Sequence, residues 1–416
     1  MRRIVVILLA IAALFVVAYY GVRTFGAAEQ PAPKAVFAPE NSIELPDTAE
    51  EWRGQVDYRA LDLGLIRLSL RPEMAGLAVA VIEDGEIRFV RTYGVTDRTT
   101  RAPVTPDTIF RWASVSKTAT GMLAAKLSDE GKLGLEQPVS SWQTSLHLPG
   151  DAEKRITLAQ LLAHQTGLTK NAYDEKLEDG ARPDVLRAGL AAAPLQCEPG
   201  TCHTYQNIAF DAASEILAEA GQMPFADAVR DRFFRPLGMA SATYGMAGLT
   251  QSSDWARPHR SAEVRTLKEA YWRVPAAAGV NSNIVDFARW MQASMGARPD
   301  VLPVNVLQIA LAPRVATRRL YSGDLARAIS DAQYGLGWRS FSYAGHHLVG
   351  HSGAVDGYRA TMIFEPATKT GVVAMWNSNW GVPFRIPFAV LDSYHNRADS
   401  NWFDLSGIPL PVEVAA

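Results

Sequence analysis

Strand-like runs stand at both ends of this 416-residue chain, and helical spacing fills the middle. Leu77–Ile82 is a continuous apolar run, Glu83-Asp84-Gly85-Glu86 reads as a turn, and Ile87–Tyr93 alternates, which together predict a β-hairpin. Beyond Gln333, the segments Tyr334–Trp338, His347–Val349, Tyr358–Phe364 and Gly371–Trp376 read as further short strands. Between them, Leu158–Leu162, Asp211–Ala220, Phe225–Phe234 and Ile284–Met295 carry helical spacing. Buried strands need partners, so the two ends are expected to pair in one antiparallel sheet. That predicts an α+β fold: a domain over residues 49–400, a helical subdomain inserted at roughly 112–330, Phe384–Tyr394 as a closing helix, and a tail at 401–416. A hydrophobic content of 48% supplies the core.

The first residues form a separate device. Arg2 and Arg3 precede an unbroken apolar run, Ile4–Tyr20, and Arg23 follows it. Residues 1–23 therefore read as a signal peptide or membrane anchor, and the Ala- and Pro-rich stretch 24–48 as a linker. The protein is expected to be exported to the periplasm, held in the inner membrane if the segment stays uncut, and soluble after cleavage. Cys197 and Cys202, bracketing a Pro-Gly turn, are expected to form a local disulfide in that oxidising compartment, stabilising the fold by roughly 2 kcal/mol. A net charge of −2 without a basic cluster excludes nucleic acid as a partner.

Chemistry enters with Phe110-Arg111-Trp112-Ala113-Ser114-Val115-Ser116-Lys117-Thr118, ahead of a run of strong helix formers. Ser114 is expected in the first turn of a helix with Lys117 on the same face, one turn above. Serine is a weak nucleophile at its own pKa. A lysine buried beside it loses its proton readily, because desolvation disfavours the charged form, and free amides at a helix start favour an oxyanion. The competing reading is an ordinary capped helix with a surface lysine, so other parts of the chain have to decide.

Two further segments carry suitable groups. In His203-Thr204-Tyr205-Gln206-Asn207, a phenol and an amide two residues apart point the same way, the first able to relay a proton and the second to hold a carbonyl. Tyr394-His395-Asn396 has the same spacing but ends an amphipathic helix, where packing explains it. Gly350-His351-Ser352-Gly353-Ala354 is expected just after a strand, with the Ala354 and Ser114 amides forming an oxyanion hole. The same segment nearly matches a Gly-x-Ser-x-Gly nucleophile elbow at Ser352. That elbow requires a helix after the serine, whereas Arg359–Phe364 reads as a strand. His346, His347 and His351 lack the spacing of a metal site on a strand, so no metal and no cofactor is expected.

Ser114-Val115-Ser116-Lys117, Tyr205-Gln206-Asn207 and His351-Ser352-Gly353, in that order, resemble the penicillin-recognising serine hydrolases. The closest likeness is to the class C β-lactamase branch, with its DD-peptidase and esterase relatives. Longer stretches add to it: Leu161–Leu168, Arg235–Met239, Gly279–Ser282 and Tyr334–Trp338. The resemblance implies a β-lactamase/transpeptidase-like fold and an acyl-enzyme mechanism on β-lactam or D-Ala-type amide bonds. Ser114 is then the nucleophile, Lys117 and Tyr205 share base and proton-relay work, and Asn207, His351, Ser352, Gly353 and Ala354 contact substrate. Asn379 and Arg385 fall where the branch places carboxylate contacts. Where its β-lactamases have Lys-Thr-Gly, this chain has a histidine that is mostly neutral at pH 7, so a carboxylesterase is the first alternative. A non-catalytic module binding peptidoglycan peptides is the second. A small-molecule or peptidoglycan-peptide substrate and a monomeric state are expected.

Overall fold

The structure, a computed structural model, describes residues 54–317, 321, 323–398 and 401–405. The expected signal or anchor segment, the linker and most of the C-terminal tail lie outside the described residues. Among those described, no helix is long and apolar enough to cross a membrane.

The centre of the fold is an eight-stranded antiparallel sheet. In chain order its strands are β1 (Gly76–Glu83), β2 (Glu86–Gly94), β3 (Val315–Ala316), β4 (Ile329–Tyr334), β5 (Arg339–Tyr343), β6 (His346–Val355), β7 (Tyr358–Glu365) and β8 (Thr370–Trp376). They lie in the order β2-β1-β8-β7-β6-β5-β4-β3. The two ends of the chain meet at β1 and β8, in a register running from Leu77 opposite Trp376 to Ile82 opposite Gly371. The first hairpin turns at Asp84 and Gly85, both with positive φ (55° and 85°), the pairing a two-residue turn of this hand requires.

Every residue of β1 is buried, because both faces of the sheet are covered. Leu77, Val79 and Val81 pack on Leu61, Leu65 and Leu68 of α1 (Tyr58–Ser69) and on Ile386 and Val390 of the closing helix, Ile386–Tyr394. Ala78, Ala80 and Ile82 face the opposite way, into the core shared with the helical subdomain. At the centre of that subdomain is α2 (Ser116–Asp129), buried over nearly its whole circumference. Such a helix must be enclosed on all sides.

Three local expectations need correction. Ser114 sits in a short 3₁₀ turn, Ala113–Val115, and the α-helix starts only at Ser116. Tyr334–Trp338 is not a strand. Tyr334 ends β4, and the chain then turns over α2 with Gly337 at φ 74°, where a Cβ would stand 2.2 Å from the Lys117 carbonyl oxygen. Apolar alternation there reports burial, not extension. Finally, Gly350–Ala354 lies inside β6 and does not follow a strand.

Candidate active site

The 3₁₀ turn carrying Ser114 is pinned from several sides. Ala113 before it has φ 49°, a left-handed conformation costly for a residue with a Cβ, retained because the surroundings enforce it. The Trp112 indole donates to Ser282 Oγ (2.8 Å), and Ser116 Oγ accepts the Val280 amide (3.0 Å). On the sheet side, β6 runs against the turn. A Cβ on Gly353 would lie 2.2 Å from the Trp112 carbonyl oxygen and 3.0 Å from the Ser114 nitrogen, so only glycine permits this approach.

Lys117 is fully buried one turn above Ser114. Its ammonium donates to Asn207 Oδ1 (2.8 Å) and the Ala277 carbonyl (2.9 Å), and lies 3.5 Å from Ser114 Oγ. Asn207 in turn donates through Nδ2 to Asp174 Oδ2 (2.7 Å), which fixes its amide with the oxygen toward the lysine. Burial pulls the Lys117 pKa down to about 7; Asp174 and Asp211 oppose that fall and Arg339 adds to it. Asp211 acts from behind: it accepts the Ala276 amide (2.9 Å), holding the segment whose carbonyl meets Lys117, and is paired with buried Arg187 (2.7 Å).

Tyr205 stands beside this pair, its ring 4.8 Å from the Lys117 ammonium. Burial raises its phenol to about 12, with the Ser114 hydroxyl pulling the other way. It therefore holds its proton at neutral pH. Gln206 points away from Tyr205 and Asn207 and is tied to the Ala172 amide (3.1 Å), as extended alternation requires.

His351 is buried in a hydrogen-bonded chain. The Gln206 amide donates to His164 Nδ1 (3.2 Å), so the His164 proton is on Nε2, facing Tyr334 Oη at 3.2 Å. The Tyr334 hydroxyl then donates to His351 Nε2 (2.9 Å), and His351 Nδ1 donates to the Ser352 carbonyl (2.8 Å). Burial drives both imidazoles well below their usual pKa, with Arg339 and Lys117 nearby acting in the same direction, so both are neutral. Burial likewise keeps the Tyr334 hydroxyl protonated.

Ser114, Tyr205, Asn207, His351, Ser352 and Ala354 line one cleft of about 570 Å³, with Lys117 beneath its floor. Asn379 does not reach it. It donates to Asp356 (2.9 Å) in a neighbouring cavity of about 380 Å³ that shares only Tyr271 and Val355 with the cleft. Arg385 is turned to the Trp402 carbonyl (3.1 Å) and lines neither space. Cys197 and Cys202 form the expected disulfide. Reasoning from sequence missed Arg339, the first residue of β5, paired in register with Gly350. Half-buried in the cleft, its guanidinium lies over the rings of Tyr334 (5.1 Å) and Tyr205 (5.7 Å), and no described residue gives it a hydrogen bond or ion pair. A lone arginine in a strand carries no motif. His164 and Tyr334 lay inside stretches already noted for resemblance, but nothing in their spacing tied them to His351.

Comparison with known proteins agrees with this fold. The unguisins hydrolase of Aspergillus campestris is 26% identical over 330 residues, covering 74% of this chain and 60% of that protein. The chain thus spans about 60% of the length of that curated relative. The octameric penicillin-binding protein homologue from Pyrococcus abyssi superposes with a TM-score of 0.72 at 22% identity, covering 82% of this chain and 78% of the other. A mutant class C β-lactamase superposes with a TM-score of 0.67 at 21% identity, covering 84% of this chain and 100% of that one. At these identities the likeness is one of fold, and it confirms the β-lactamase/transpeptidase-like architecture. The Beta-lactamase family model matches residues 67–388, well over half of the sequence, and the chain belongs to that family.

Proposed function

We propose that the protein is an exported serine hydrolase that forms an acyl-enzyme at Ser114. The observation that carries this reading is the contact of Ser114 Oγ with a buried lysine whose pKa lies near 7. About half of such a lysine is neutral at pH 7, so it can take the serine proton as Oγ attacks a carbonyl. Tyr205, with its pKa near 12, suits the complementary role, in which it passes a proton to the departing nitrogen or oxygen and regains one from Lys117. The Ser114 and Ala354 amides stabilise the tetrahedral oxyanion, and Asn207 orients Lys117. Water then attacks the ester, and the same groups run in reverse. Hydrolase activity in a relative supports the reading.

We assign the acyl donor to β-lactam or D-Ala-type amides, with Arg339 supplying the cation that the third motif lacks. Neutral His351 gives a specific reason for a second reading, a carboxylesterase, because a neutral ester needs no cation. Acylation by a fluorescent penicillin or fluorophosphonate tests the proposal: absence of label on wild type, or equal label on Ser114→Ala, overturns it. Turnover of a chromogenic cephalosporin against a short-chain nitrophenyl ester separates the two readings. The Cys197–Cys202 disulfide supports an oxidising compartment, and export through residues 1–23 is part of the proposal, checked by cell fractionation. So is a monomeric state, checked by sedimentation.

A further inference from the structure

His346 opens β6, Glu365 closes β7, and His395 caps the closing helix, so three elements meet at one end of the central strands of the sheet. His346 Nδ1 lies 2.8 Å from Glu365 Oε1, and His395 Nε2 lies 2.8 Å from Glu365 Oε2. The two imidazoles stack with centroids 3.7 Å apart and planes 25° apart. The donor atoms of all three side chains fall within 4.8 Å of one another. We infer that His346, Glu365 and His395 form a divalent-metal site, of the chemistry that takes Zn²⁺, at the end of the sheet away from the catalytic cleft.

Two imidazole nitrogens and one carboxylate oxygen are a ligand set that zinc accepts at about 2.0–2.2 Å per bond, with water in the fourth position. Tetrahedral ligands at that radius are about 3.4 Å apart, so each histidine nitrogen has to open from its 2.8 Å carboxylate contact by about half an ångström, and all the donors already lie within 4.8 Å of one another. Each histidine would turn a lone pair toward the ion. Its proton would move to the other ring nitrogen, Nε2 of His346 and Nδ1 of His395. Support of the kind metal sites use is present, since Thr368 Oγ1 donates to Glu365 Oε2 (3.0 Å) and steadies the carboxylate. Glu365 is 4% exposed, while both histidines are partly open to solvent, so the anion is held inside with an entry path outside.

The site is separate from the catalytic machinery. His351 lies further along β6 than His346 by a span of roughly 17 Å of extended chain. The role of the site is a clamp: a bound ion joins the end of the closing helix to β6 and β7, adding stability wherever the metal is available.

The test uses the full chain, stripped with a chelator and titrated with ZnCl₂ by calorimetry, with thermal unfolding measured in zinc and in chelator. One ion per chain and a rise in Tm with zinc are expected. His346→Ala should weaken binding by at least about tenfold. His395→Gln should do the same while keeping an N–H for Glu365, so a folding defect is distinguished from loss of a ligand. Nitrophenyl ester hydrolysis by both variants, in zinc and in chelator, should match wild type. No saturable binding below about 1 mM zinc, or equal binding by wild type and the His346→Ala/His395→Gln double variant, overturns the inference, leaving a hydrogen-bonded triad only.

Discussion

Replacing Asp174 by asparagine and Arg339 by glutamine should move the acid limb of the rate profile in opposite directions. The rate constant for acylation rises with pH as Lys117 loses its proton, so the limb reports a pKa near 7. Asp174 stabilises the ammonium through Asn207, across links of 2.8 and 2.7 Å. Those links set the two charges on the order of 7 Å apart, where an effective dielectric of 20 gives about 2.4 kcal/mol. Removing the anion while keeping an acceptor for Asn207 lowers the lysine pKa, and the limb should move down by about 1 to 2 pH units. Arg339 destabilises the ammonium, so its loss raises the pKa. It is half-exposed and screened by water, and the upward shift should be about half a unit. Stopped-flow acylation by a nitrophenyl ester between about pH 5 and 9 measures both. Limbs that stay in place, or that move the same way in both variants, refute the assignment of Lys117 as the base.

The buried lysine also has a stability signature. Its folded pKa of about 7 is below its ordinary 10.5, so burial of the ammonium costs most below pH 7 and the cost fades as pH rises through 10.5. Relative to Lys117→Met, wild type should gain up to roughly 4 kcal/mol between those limits, read by denaturant unfolding at pH 6 and 10; a constant difference refutes it. Gly353→Ala puts a methyl 2.2 Å from the Trp112 carbonyl oxygen. It should force β6 off the Ser114 turn, reducing kcat/KM by about a hundredfold with a smaller loss of Tm; unchanged kinetics would show that this approach is not needed.

The sheet was legible because its strands are buried on both faces or alternate cleanly, and because Asp84-Gly85 marks the first turn. The Ser114, Lys117, Tyr205 and Asn207 grouping was legible because each residue lies on a short segment whose geometry restricts where it points. Tyr334–Trp338 misled because Leu336 and Trp338 are buried for a different reason, a turn laid over α2. Arg385 was assigned through resemblance alone, and its local 3₁₀ turn directs it to the Trp402 carbonyl. Arg339 and the His346, Glu365 and His395 cluster depend on strand register and helix docking, which join residues far apart in sequence and leave no local pattern.

The one-way chain from the Gln206 amide to the Ser352 carbonyl restricts what can stand at position 351. Suppose His351 is replaced by lysine. Tyr334 then faces an ammonium and loses the acceptor of its proton, a buried loss of about 1–3 kcal/mol. Restoring an acceptor at His164 means shifting that ring's proton to Nδ1, directly against the Gln206 N–H. No single step is neutral. His351, Tyr334 and His164 depend on one another, and a change to lysine at position 351 calls for at least two of them to change together. The imidazole is thus held in place by its neighbours, and the Tyr334 hydroxyl is the group that a lone substitution would strand.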